Sequence, residues 1–302
     1  MTTVAAIVGP TAVGKTELAA RIAPALGAEI VSIDSMQAYQ GMDIGTAKPA
    51  AALRSVVPHH MLDVFDPADE ITVSEFRAAA RHAIDDISSR GALPLLVGGS
   101  GLYFRAVVDD FRFPPRVAEV RERLESEAEE AGAAAMHSRL VDLDPVAAAR
   151  IEPANARRTI RALEVIEVTG APFSLADSWD RFESIFDLRV VGLTLARDAL
   201  YARIATRVDR MLEEGLVDEA RALAAAGFGR TARQALGYRQ VLDATDPNDI
   251  DAIRANIVRA TKRFARRQES WFKADPRIEW IDAADPNVSE KVLAVLRNRE
   301  RA

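Results

Sequence analysis

The sequence predicts an α/β fold: a parallel β-sheet covered by helices on both faces, interrupted by a helical insertion. Three observations carry this reading. Short apolar runs alternate with amphipathic helical segments over the first third of the 302 residues. The alternation stops between residues 114 and 187, where helical, charged, strand-poor sequence takes over. An apolar run returns at Leu188, and long helical patterns follow it. The expected division is a core of residues 1–113 and 188–302 around an insertion of residues 114–187.

The elements follow in chain order. "TVAAIVG" reads as a buried strand. "KTELAARIAPAL" has helical spacing, with Pro24 expected to distort its end. "AEIVSID" is a second strand and "HHMLDVF" a candidate third. "TVSEFRAAARHAIDDISSR" is an amphipathic helix, and "ALPLLVGG" an apolar strand ending in glycines. Within the insertion, "RVAEVRERLESEAEEAGAAAMHSRLVDLD" and "PVAAARIEPANARRTIRALEVIEVTG" are helical. "LRVVGLTL" restores a strand, and "ARDALYARIATRVDRMLEEGLVDEARALAAAG" resumes long helices. Residues 249–274 form one more long helix, and "IEWID" a last short strand. No internal repeat is present.

Composition narrows the function classes. With 49% hydrophobic and 28% charged residues, the chain can bury a large core. It contains no cysteine, which excludes disulfides and thiolate metal sites and fits an intracellular, cytoplasmic setting. "MTTVAAIVGP" lacks a basic leader region, and no apolar run reaches the ~18 residues that a membrane span needs, so no membrane partner is expected. A net charge of -6 argues against a wholesale polyanion binder but leaves room for a local basic patch.

Gly9-Pro10-Thr11-Ala12-Val13-Gly14-Lys15-Thr16 fits G-x-x-x-x-G-K-[ST], directly after a strand and opening a helix. Glycines let the backbone curl so that several N–H groups converge on phosphate oxygens. The helix N-terminus adds positive potential. Lys15 supplies a point charge, and the Thr16 hydroxyl can ligate Mg²⁺. The fold is therefore expected to be P-loop NTPase-like. Most loops of this pattern hold ATP or GTP, and an ATPase also carries an acid at the end of an apolar strand. "ALPLLVGG" has no such acid. Asp34, in "IVSIDS", does end a strand, but in a polar loop suited to a substrate. The loop thus reads either as a triphosphate site or as a grip on a diphosphate that leaves. By position alone, Asp34 also suits the cap of the turn beginning "DSMQ".

"GPTAVGKT", "IDSMQAYQGMDIGTAKP", "PHHMLDV", "LLVGGSGLYFRA", "DPVAAARIEPANARRTIRALEV", "RVDRMLEEGLVDEARAL", "QALGYRQ" and "ATKRFARRQESWF" occur in that order. Together they closely resemble the tRNA dimethylallyltransferase family, over residues 4 to 282. The resemblance implies transfer of a dimethylallyl group from its diphosphate to N6 of adenosine 37 beside the anticodon, in tRNAs reading codons that begin with U, with Mg²⁺. It implies that Asp34 is the general base, that Ser100, where many relatives have threonine, makes a polar contact near the reacting groups, and that Gly9 to Thr16 hold the diphosphate. It implies tRNA contacts from Asp34, Ser35, Met36, Gln37 and Ser100, and from Arg233, Gln234, Gly237 and Tyr238 around the "Q..GY" element. By its chemistry, Gln37 could read an adenine edge with its amide. By position alone, Ser100 also suits a helix N-cap.

An acidic protein must concentrate its basic residues to bind RNA. Arg254, Arg259, Lys262, Arg263, Arg266, Arg267 and Lys273 lie on one helix, with Glu269 the single acid between Arg254 and Lys273. Arg157, Arg158 and Arg161 form a second cluster, and Arg116, Arg121 and Arg123 a third. Each run reads as phosphate contacts or as a solvated face. The last two clusters lie in the insertion, which the resemblance implies grips the anticodon stem-loop. Phe264, Trp271 and Phe272 read as core rather than as a stacking platform, and His59-His60 as the entry to a strand rather than a metal site. A small-molecule kinase, a prenyltransferase acting on free nucleotide and a non-catalytic RNA binder remain alternatives. A monomer is expected.

Overall fold

The computed structural model describes residues 1–111, 113–114, 116–176 and 181–297. The chain divides into two compact units, Met1–Asp109 with Ser184–Ala302, and Asp110–Glu183. The second unit is the helical insertion, and its bounds correct the 114–187 read from sequence. The reason is backbone pairing at its root. Asp109 and Ser184 form an antiparallel bridge, and the Ile185 N–H donates to the Val108 carbonyl at 2.9 Å, so residues 184–186 are already tied to the core.

The core unit is built on six parallel strands: β1 (Thr3–Val8), β2 (Ala28–Ser32), β3 (His59–His60), β4 (Leu93–Gly98), β5 (Asp187–Thr194) and β6 (Ile278–Asp282). Their spatial order is β3-β2-β4-β1-β5-β6. Central β1 pairs Ile7 with Val97 on one side and Val191 on the other. Its alternating side chains serve two cores. Ala5 and Ile7 pack with Leu18 and Ile22 of the Lys15–Leu26 helix and with Val292 and Leu296 of the Val288–Arg297 helix. Val4, Ala6 and Val8 pack on the opposite face with Phe76 and Ile84 of the Val73–Ser89 helix and Phe104 of the Gly101–Val108 helix. This is the doubly covered parallel sheet that the apolar strands predict.

Local chemistry sets the element ends. Thr72 and Glu75 form a capping box: the Glu75 N–H donates to Thr72 Oγ1 at 3.1 Å and the Thr72 N–H to Glu75 Oε2 at 2.7 Å. Pro24 does not end its helix. It lies in the last turn, where only the Ala20 carbonyl loses a helical partner, and the helix stops at Gly27 with φ 59. "HHMLDVF" yields only the two-residue β3, because Met61 (φ 63) and Asp63 (φ 58) turn the chain out of the extended region. The Ile250–Lys273 helix starts at Asp249, whose side chain accepts from the Ala252 N–H at 2.9 Å.

The insertion unit is all helical among its described residues: Ala118–Ala131, Ala133–Leu143, Pro145–Ala149, Ala156–Thr169 and Phe173–Ala176. Leu124, Met136, Leu140, Ile160 and Leu163 form its own core. None of the described helices is long and apolar enough to cross a membrane.

Candidate active site

β1 ends at Val8 and the helix begins at Lys15, so Gly9 to Gly14 form the turn that the motif predicts. Gly9 has φ 139, and a Cβ there would lie 2.6 Å from the Leu193 carbonyl oxygen of β5; no side chain fits. Gly14 (φ 103) and Ala12 (φ 64) complete the curl that directs backbone N–H groups inward. Lys15 is folded back: its Nζ donates to the carbonyls of Gly9 at 2.9 Å and Pro10 at 2.7 Å. Burial, and then the neighbouring Arg207 cation, lower the Lys15 pKa to about 7, against the pull of Asp34. Thr16 lines the cleft, and its hydroxyl makes no hydrogen bond among the described residues.

The cleft, about 630 Å³ including its open mouth, joins this loop to Asp34, Ser32, Gln37, Gly98 and Gly99. It forms where β2 and β4 end side by side, with Ser32 opposite Val97. Asp34 Oδ1 accepts the Met36 N–H at 3.0 Å, so the turn-capping role is real and coexists with a cleft-facing carboxylate. Burial raises the Asp34 pKa above the ordinary carboxylate range, opposed by the Met36 amide and then by the charges of Lys15 and Arg207. Ser100 stands at the N-cap position of the Gly101–Val108 helix, but its hydroxyl makes no capping bond. That corrects the capping expectation and leaves the hydroxyl available for another partner.

Several residues enter the site that sequence reasoning gave no role. Arg203 and Arg207 lie one helical turn apart on the Arg197–Glu213 helix. Arg203 Nη1 donates to the Val13 carbonyl at 3.0 Å, and Arg207 lines the cleft with Lys15 and Asp34. Their i,i+4 spacing was the available signal. Gln268 Oε1 accepts the Thr11 N–H at 2.9 Å, and its Nε2 donates to the Gly99 carbonyl at 2.7 Å. Phe264, read as core, is half-buried on the cleft wall, whereas Phe272 is fully buried against Phe104. The Lys48 side chain is 2% exposed and clasps Asp43 at 2.8 Å, Asp63 at 2.5 Å and the Tyr39 carbonyl at 2.6 Å. It braces the loop after Asp34 from inside.

The residues assigned to RNA fall into different settings. Ser35 and Met36 continue the half-buried turn beside Asp34. Gln37 has its carboxamide engaged: it accepts from Ser32 Oγ at 2.9 Å and donates to the carbonyls of Thr46 at 3.1 Å and Ala47 at 3.3 Å. Reading a base edge would require exchanging those bonds. Tyr238 is a correction. It is 0% exposed, its hydroxyl donates to Glu219 Oε1 at 2.6 Å, and its ring fills the space where Gly45 lacks a side chain. Glu219 also accepts the N–H groups of Asp43, Ile44 and Gly45 at 2.9–3.1 Å, so the pair holds the "GMDIGT" loop rather than presenting a ring at the surface. Gly237 (φ 89) is buried beside it. Gln234 is exposed and accepts from Arg239 at 3.4 Å, and Arg233 pairs with Asp243 at 2.9 Å.

In the insertion unit, Arg157 and Arg158 are exposed in the first turn of the Ala156–Thr169 helix. Arg121 and Arg161 are partly neutralised by Glu164, which is 0% exposed and lies 3.4 Å and 3.0 Å from them. On the Ile250–Lys273 helix, Arg259, Arg263 and Arg266 share an exposed strip and make no ion pair among the described residues. Arg254, by contrast, is bound to Asp209. His59 Nδ1 lies 2.8 Å from the Val57 carbonyl, and His60 Nε2 lies 2.7 Å from Glu29. No group of three or more metal-ligating side chains exists among the described residues.

A sheet of this order, with a glycine-rich loop between its central strand and the following helix, places the protein among the P-loop α/β proteins. The family model described as IPP transferase matches residues 37–275, and the one described as isopentenyl transferase matches residues 2–60. The chain is 52% identical to the tRNA dimethylallyltransferase of Streptomyces coelicolor, covering 99% of this chain and 96% of that one. It is 51% identical to that of Salinispora arenicola, over 99% and 88%. The crystal structure of the full-length tRNA isopentenylpyrophosphate transferase from Bacillus halodurans superposes with a TM-score of 0.71, at 40% identity, over 98% and 95% of the two chains. A eukaryotic dimethylallyltransferase acting on tRNA superposes at 0.81, with 27% identity, over 97% and 78%. The chain belongs to the IPP transferase family, that of the tRNA dimethylallyltransferases.

Proposed function

We propose that the protein transfers a dimethylallyl group from dimethylallyl diphosphate to N6 of adenosine 37 in tRNAs that read codons beginning with U. The products are N6-isopentenyladenosine in the anticodon stem-loop and diphosphate. One observation carries this reading: two mutually repelling, desolvated cations, Lys15 and Arg207, face one cleft with a carboxylate, Asp34, whose pKa is raised. A site of this kind calls for an anion beside the cations and a proton donor beside the carboxylate.

The chemistry follows from those groups. The allylic C–O bond breaks and its electron pair stays on the diphosphate. The N6–C bond forms, and the N6 proton passes to Asp34. Charge grows on the departing diphosphate, so the loop N–H groups, Lys15 and Arg207 act where it develops. An adenine reaches such a cleft only out of its stack, and the half-exposed Phe264 on the cleft wall is a surface it could meet. The Thr16 hydroxyl, unbonded in the cleft, suits an Mg²⁺ ion, which prefers oxygen ligands and shared phosphates. When bound, that ion would supply further neutralisation of diphosphate charge. Exposed Arg157 and Arg158, with Arg259, Arg263 and Arg266, are suited to RNA phosphates. The protein acts as a cytoplasmic monomer in this reading.

The test mixes the protein with anticodon stem-loop RNA, dimethylallyl diphosphate and Mg²⁺, with parallel arms in which AMP replaces the RNA or ATP replaces the prenyl donor. Prenylated RNA supports the proposal. Prenylated AMP, phosphoryl transfer from ATP, or binding without product would each replace it.

A further inference from the structure

The peptide unit between Pro10 and Thr11 is held at both ends. Its oxygen, on Pro10, accepts from Lys15 Nζ at 2.7 Å, and its N–H, on Thr11, donates to Gln268 Oε1 at 2.9 Å. Gln268 Nε2 reaches the other way, to the Gly99 carbonyl at 2.7 Å. Gln268 is only 6% exposed, on the Ile250–Lys273 helix. Both ends of its carboxamide are therefore committed, one as acceptor and one as donor. A carboxylate could not donate to Gly99, and an apolar side chain could not accept from Thr11. Gly99 is fitted to this amide: a Cβ there would lie 2.2 Å from Gln268 Nε2.

We infer that Gln268 is a positioning residue for the transfer reaction, orienting the Pro10–Thr11 peptide and tying the phosphate loop to the turn that carries Ser100. The inference rests on the diphosphate reading of the loop. A bound diphosphate draws Lys15 Nζ off the Pro10 carbonyl, and the peptide then loses one of its two holds. Gln268 is the one that remains. It keeps the loop curled through Ala12 (φ 64) while the charge on the anion grows. Because the same amide grips Gly99, it also fixes the spacing between the anion's cradle and the Ser100 hydroxyl. Errors of about 1 Å in such spacing cost up to ~100-fold in rate.

The test uses Gln268→Met, of similar volume without the amide, and Gln268→Glu. Three quantities are measured: inorganic diphosphate binding by calorimetry, steady-state kinetics with dimethylallyl diphosphate and stem-loop RNA, and thermal melting. Gln268→Met is expected to melt cooperatively, to bind diphosphate roughly tenfold more weakly, and to lose ~10–100-fold in kcat/KM for the prenyl donor with KM for RNA unchanged. Gln268→Glu is expected to be impaired near about pH 8 and to recover relative to wild type towards about pH 5.5, because a protonated carboxyl both accepts and donates in the amide's geometry. If Gln268→Met does not fold, the pH profile of Gln268→Glu decides. Wild-type diphosphate affinity and kcat/KM in Gln268→Met, or a loss that only tracks the unfolded fraction, overturns the role of Gln268 alone. If the wild-type protein binds diphosphate but transfers nothing, the reaction reading fails, and the binding comparison still decides for or against Gln268. If it binds no diphosphate, both fall.

Discussion

The Lys15 ammonium donates to the Pro10 carbonyl at 2.7 Å, so the cation intended for a phosphate is turned back onto its own loop. With its pKa lowered to about 7 by burial and by Arg207, half of it is neutral at that pH. An anion at the loop favours the charged form and raises that pKa. Below 7 the proton is present before and after binding. Above 7 it must be taken up on binding, so affinity falls by up to about tenfold per pH unit. Calorimetry of inorganic diphosphate between about pH 7 and 9 should show this fall together with proton uptake. A flat profile would contradict the arrangement.

Tyr238 is assigned to the interior. Tyr238→Phe removes its 2.6 Å bond to Glu219 and is expected to cost about 0.5–1.5 kcal/mol of stability. Stem-loop RNA affinity should stay within twofold. Weakened RNA binding at unchanged stability, read by filter binding and denaturant titration, would return Tyr238 to the RNA surface.

Gly101 faces Trp271 so closely that a Cβ would lie 1.9 Å from Trp271 Cε3. Gly101→Ala should destabilise by about 1–3 kcal/mol through overpacking. Adding Trp271→Leu should return part of that loss, so the double-mutant cycle should show coupling of about 0.5 kcal/mol or more. Additive effects would mean that the ring simply swings away.

Glu164, buried between Arg121 and Arg161, organises the insertion unit. Glu164→Ala removes a buried carboxylate that both cations share, while Arg121 keeps Glu125 at 2.7 Å, and should cost about 1–3 kcal/mol. Urea denaturation of the full chain checks this, and a change below about 0.5 kcal/mol, the range of an ordinary surface substitution, would refute it.

The strands and the phosphate loop were legible because apolar runs and glycine spacing are local signals. So was the extent of the long helix, read as residues 249–274 and found over Ile250–Lys273 with Asp249 and Ala274 as its caps. The site's connecting bonds were not. Thr11 and Gln268 are separated by 257 positions, and Glu219 meets the Asp43–Gly45 amides across 174 to 176. Nothing in either segment alone marks the pairing. Tyr238 was placed on the RNA side because its motif was read by resemblance, and burial is a property of the fold. Pro24 was expected to distort its helix end, but in the last turn only the Ala20 carbonyl loses a partner.

The most direct test of the account is single-turnover prenyl transfer to stem-loop RNA by Asp34→Asn. Asparagine keeps an oxygen for the Met36 N–H and should leave diphosphate binding intact. The account expects the rate to fall by ~10²–10⁴, since the N6 proton has lost its acceptor. Transfer at the wild-type rate, with diphosphate binding unchanged, would contradict it.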